Sequence, residues 1–202
     1  MARPREFDEV VVLDAAVVCF WSRGYEATSV RDLIETTGLT GASLYNAFGD
    51  KRALFRAALD RYVESSIGER IKRCEALPPR QAIVTFFDEI LKRSLSDRRR
   101  KGCMLVNSAL EVAPHDTEFR RIIAAVLTRI EMFFLKCIEA GQAERTITCS
   151  LPAQTIAHHL LGLLMGVRVL ARVRPDRALL EGALAPALAL LDGTGARPAT
   201  KP

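Results

Sequence analysis

The stretch GYEATSVRDLIETTGLTGASLYNAFGDKRALF, Gly24 to Phe55, decides the fold. Three glycines punctuate it: Gly24 stops the helix that precedes it, Gly38 ends a short helix and Gly49 breaks another. Thr28 and Ser29 supply hydroxyl caps in front of VRDLIETT, and Thr40 caps GASLYNAF. The pattern predicts two short helices joined by a tight turn, then a longer helix opened by Asp50 that carries Leu54, Phe55, Ala58 and Tyr62 on one side. Such a pair is a helix-turn-helix, and small residues at the amino end of its second helix let the backbone approach base edges in the major groove.

Working outward, Leu13, Ala16, Val17 and Phe20 share one face of a helix over about 7–23. On the other side Pro78 and Pro79 mark a boundary, after which Ile83, Phe86, Phe87 and Ile90 make an amphipathic helix that runs into Arg98, Arg99, Arg100, Lys101 and the breaker Gly102. A short apolar helix over 103–112 follows. The clearest helical stripe runs from Phe119 to Ile138, with Gly141 expected as its cap. Two further helices are predicted, one opened by Ser150 and Pro152, the other following Pro175 and ending near Leu191. No segment alternates as a half-buried strand does. The reading is all-α, about nine helices: a helix-turn-helix module over 1–52, a larger helical domain over 53–192, and a tail over 193–202 without fixed structure.

With 202 residues, 49% of them hydrophobic, the chain can bury a sizeable core, and its net charge of +5 is compatible with a polyanionic partner. That charge is not in the first 49 residues, where seven acidic side chains stand against Arg3, Arg5, Arg23 and Arg31. A positive reading surface there requires Arg3, Arg5, Lys51 and Arg52 to line the groove. The five cysteines lack a Cys-x-x-Cys pair, which favours a reduced, cytoplasmic setting. The charged start MARPREFDEV is unlike a signal peptide, and no apolar run of roughly 18 to 20 residues is evident, so no membrane partner is expected.

The string from Gly24 to Phe55 resembles the DNA-binding module of the TetR family of transcriptional regulators. The resemblance implies that Thr28, Tyr45 and Lys51 hold phosphates and that Thr40, Gly41, Ala42 and Ser43 face the bases, a division in which phosphate contacts position and base contacts specify. It further implies a ligand-released repressor acting on a palindromic operator as a homodimer, with the last two helices pairing with their two-fold copies. His159, Leu164, Arg168, Leu184 and Leu188 are the candidate interface residues, and Gly162 and Gly166 would allow close helix approach.

The middle helices supply Phe86, Phe87, Cys103, Met104, Phe119 and Phe133 as candidate lining for an unknown small-molecule effector. Cys103, following Gly102 at a helix start just past four cations, is also a candidate redox or electrophile sensor; the segment Gly102 to Glu111 resembles the start of the sixth helix in one branch of the family, which does not require a reactive thiol. His158 and His159 are adjacent and cannot jointly clamp one metal, and His115 with Asp116 reads as a helix start. No G-x-S-x-G, H-E-x-x-H or phosphate-cradling glycine loop occurs, so neither enzymatic activity nor a cofactor nor a metal is expected. A protein that binds DNA without sequence preference is the remaining alternative.

Overall fold

The computed structural model describes residues 7–192; the tail from 193, and Arg3 and Arg5, lie outside the described residues. Among the described residues the chain is all-helical, without strands, in nine continuous helices, the unbroken run over 51–75 counting as one. It gathers into two compact units that do not follow linear order: the residues up to Gly68 group with Cys103–Ile123, and Glu69–Gly102 groups with the residues from Ala124 onward. The helix-turn-helix module expected over 1–52 lies within the first unit, which also takes in 53–68 and Cys103–Ile123.

The first unit contains α1 (Glu9–Arg23), α2 (Val30–Thr37), α3 (Gly41–Phe48), α4 (Lys51–Tyr62), a π-helical stretch (Val63–Gly68), α7 (Met104–Glu111) and the start of α8 (Thr117–Ala143). Local chemistry fixes each boundary. Asp8 accepts from Val10 N–H (2.9 Å) to start α1, and Gly24, at φ +88°, ends it with its N–H on Phe20 C=O. Ser29 and Asp32 form a reciprocal capping box on α2, and Asp50 accepts from Ala53 N–H (2.7 Å) at the head of α4. The helices then bury Ala16 and Phe20, Leu33, Leu44, Leu54 and Phe55 together. Phe119, from α8, completes this core, 5.1 Å from Phe55, which is why the later segment belongs to the first unit. Asp116 caps α8, its Oδ1 accepting from the N–H groups of Glu118 and Phe119.

The second unit contains α5 (Glu69–Glu75), α6 (Pro79–Ser96), the rest of α8, α9 (Ala153–Val173) and α10 (Arg177–Ala189). Phe86, Phe87, Phe133 and Phe134 cluster at its centre, Phe87 stacking on Phe134 at 5.6 Å. Arg70 lies over the Phe86 ring and shares Glu89 with Arg73. Burial pushes the Cys137 thiol up to about 12. Gly141 is not the cap the sequence suggests: it lies inside α8, where a Cβ would come within 2.6 Å of Ile147, so its role is to admit that side chain.

Three of the five candidate interface residues are buried within the single chain. Leu164 and Leu184 are only 3% and 4% exposed within the single chain and have no side-chain surface to give a partner. Arg168 is likewise buried, donating to Ser94 Oγ and Gly102 C=O, both at 3.0 Å; it anchors the loop before Cys103. The helical stripe turns these residues inward because a second face of α9 packs on α6 and α10. His159 is exposed and Leu188 half-buried. The apolar surface left open on α9 is instead Val169, Leu170 and Val173, beside the exposed Gly162 and Gly166. Contrary to the sequence expectation, α9 is long and apolar enough to cross a membrane, although its buried face and buried Arg168 are what a core helix shows.

Candidate nucleic-acid interface

Helix α3 is held at both ends and by one anchor. Thr40 Oγ1 accepts from Ser43 N–H at 3.2 Å and lies 3.0 Å from Ser43 Oγ, while Leu44 buries the inner face. Thr40, Ala42 and Tyr45 are exposed, and Gly41 and Ser43 are half-buried. Gly41 has no unusual backbone angle, and a Cβ there would meet only Ile34 Cδ1 at 3.4 Å, so nothing inside the protein requires a glycine at this position. Asn46, exposed and four residues after Ala42, shares the outer face and was not among the sequence expectations. The i, i+4 spacing is the signal that could have found it, and a carboxamide there suits an adenine edge.

Thr28 does not present a phosphate-binding hydroxyl. It is fully buried, and its Oγ1 donates to Gly24 C=O at 2.5 Å, closing the loop between α1 and α2. A hydroxyl already engaged inside a tight turn satisfies the backbone carbonyl there instead. Lys51 is half-buried: its Nζ donates to Glu26 C=O at 3.4 Å and sits 4.5 Å above the centre of the Tyr25 ring. Desolvation, reinforced by Glu26, raises the Tyr25 phenol above its ordinary value, so Tyr25 stays neutral beneath that cation.

Arg52 does not stand free for the groove either. Its guanidinium is bound by Asp116 (2.9 Å) and Glu118 (2.6 Å) and lies over Phe119, while Arg56 also pairs with Glu118. The hydrogen bonds from Arg52 hold both carboxyls below their usual range. Glu111, at the end of α7, accepts from Glu26 N–H at 2.9 Å. Sequence reasoning missed Glu111 because its partner is a backbone group 85 residues away, which leaves no trace in periodicity.

The six candidate effector-lining residues divide between the two units. Cys103, Met104 and Phe119 are buried in the first unit, where Tyr62 Oη donates to Cys103 Sγ at 3.5 Å. Phe86, Phe87 and Phe133 are buried in the second. His158 contacts Glu131 and Gln154 at the surface, and no group of three metal-ligating side chains gathers among the described residues.

This geometry has known counterparts. Residues 12–58 match the family model for bacterial regulatory proteins of the tetR family, and residues 79–186 match the tetracyclin repressor-like carboxy-terminal domain. The uncharacterized HTH-type transcriptional regulator YezE of Bacillus subtilis is 31% identical over 95% of this chain and 100% of its own length. The HTH-type transcriptional repressor ComR of Escherichia coli is 30% identical over 84% of this chain and 82% of its own. A solved structure of the TetR family regulator CifR, a cysteine mutant complexed with 26-base-pair operator DNA, superposes with a TM-score of 0.82 at 30% identity, covering 93% of this chain and 98% of that one. Its helix-turn-helix, its helical remainder and these relatives together make the chain a member of the TetR family, a transcriptional regulator and not an enzyme.

Proposed function

We propose that this regulator is a repressor that binds a palindromic operator as a homodimer in the cytoplasm and releases it when a small apolar or amphipathic molecule occupies the helical carboxy-terminal domain. The observation that carries the reading is the outer face of α3, where Thr40, Ala42, Tyr45 and Asn46 are all exposed. Such a surface lets a helix enter the major groove, with Tyr45 and Lys51 reaching phosphates and the residues from Thr40 to Ser43 reaching bases. Two copies are required if half-sites lie about one helical turn, roughly 34 to 36 Å, apart. The open apolar face of α9 supports that pairing, and the match of residues 79–186 to the tetracyclin repressor-like carboxy-terminal domain supports a small-molecule effector.

Selection of bound duplexes from a random DNA pool tests the reading. The expected result is a palindrome with two half-sites. A pool without any shared motif would favour binding without sequence preference instead.

One observation supports a second mode of release. Tyr62, which donates to Cys103 Sγ, also packs against Trp21 of α1 in a T-shaped arrangement, with centroids 5.1 Å apart. Oxidation or alkylation of the thiol would disturb a contact that reaches the DNA-binding module. Hydrogen peroxide is then expected to lower operator affinity of the wild type and to leave Cys103→Ser unchanged; an equal response in both removes Cys103 as the sensor.

A further inference from the structure

The loop between α1 and α2 is gripped from two sides. On one side Glu111 accepts from Glu26 N–H, and its carboxylate lies so close to Gly24 that a Cβ there would stand 2.8 and 2.9 Å from its two oxygens. On the other side Lys51 donates to Glu26 C=O and rests on the Tyr25 ring. The Thr28 hydroxyl closes the same loop on Gly24 C=O. The peptide groups flanking Glu26 thus join a carboxylate of α7 to the ammonium at the start of α4.

We infer that Glu111 is a positioning residue for DNA binding: it fixes the Gly24–Glu26 backbone on which Lys51 is aimed. The electrostatics alone argue against keeping an acid at this place, because a carboxylate beside a phosphate-binding lysine opposes the polyanion. Its hydrogen bond is what compensates, since an unanchored loop would leave the long lysine side chain to sample many rotamers before it meets a phosphate. Glycine at 24 is required on two counts, the positive φ and the room taken by the carboxylate.

The inference rests on the DNA-binding reading, and the experiment separates the two by using both the selected operator and a random-sequence duplex. Phosphate contacts are blind to sequence, so Lys51 acts on both. Glu111→Ala is expected to weaken binding to each duplex about 10-fold and to reduce the salt slope by about one. Glu111→Gln keeps an acceptor for Glu26 N–H while losing the opposing charge, so it should bind at least as well as the wild type. The decisive measurement is a double-mutant cycle: in a Lys51→Ala background, Glu111→Ala should cost nothing further. Full additivity of the two substitutions, wild-type binding by Glu111→Ala, or a Glu111→Gln variant as weak as Glu111→Ala each overturns the proposal. Failure of the wild type to bind either duplex overturns the DNA-binding reading itself.

Discussion

Leu164→Glu is expected to unfold the protein, whereas Val169→Glu, five residues on in the same helix, is expected to leave a folded monomer. Leu164 is 3% exposed inside a single chain, against 42% for Val169. A glutamate at the first position puts an unpaired charge into an apolar core, at a cost of several kcal/mol. It also forfeits the burial of a leucine, worth about 1.5 to 3 kcal/mol. Together these approach the whole stability of an ordinary domain, about 5 to 15 kcal/mol. At position 169 the same carboxylate stays in water in the isolated chain and meets an apolar partner only in the proposed dimer. Circular dichroism melting and light scattering separate the outcomes. A cooperative, wild-type melt for Leu164→Glu, or a Val169→Glu variant that remains dimeric, contradicts the corresponding half of the argument.

Ala42→Glu is expected to abolish operator binding with the fold intact. Ala42 is exposed on α3, so a larger side chain there displaces nothing inside the protein, and surface changes of this kind shift stability by about 0.5 kcal/mol or less. Facing DNA, however, the same side chain brings bulk to the groove-entering end of the helix and a negative charge towards a polyanion, where like-charge juxtaposition costs several kcal/mol. A loss of about 100-fold or more is expected by fluorescence anisotropy on the selected duplex, corresponding to about 2.8 kcal/mol. Affinity within a few-fold of wild type would place α3 outside the groove.

The helix-turn-helix was legible because its determinants are local. Ser29 with Asp32, Thr40 with Ser43 and Asp50 with Ala53 are caps spanning three residues, and glycines close α1, α2 and α3. Which face of α9 points inward was not legible, because apolar residues surround most of that helix and periodicity cannot say which of two apolar faces meets α6. Arg168 shows the limit most sharply: a charge expected at a surface is buried because Ser94 and the Gly102 carbonyl receive it. Thr28 fails for a related reason. Its sequence position fits a phosphate anchor, but its neighbour in space, the Gly24 carbonyl, takes the hydroxyl first.

The interleaving of Cys103–Ile123 with the amino-terminal residues bears on any attempt to exchange reading heads between regulators. A fragment cut after Gly68 would leave behind Phe119, baring the Phe55 and Tyr25 rings it covers, and would discard the carboxylates that hold Arg52. A transplant that keeps the head intact must therefore be cut from two places in the gene, carrying the corner between α7 and α8 along with the first 68 residues.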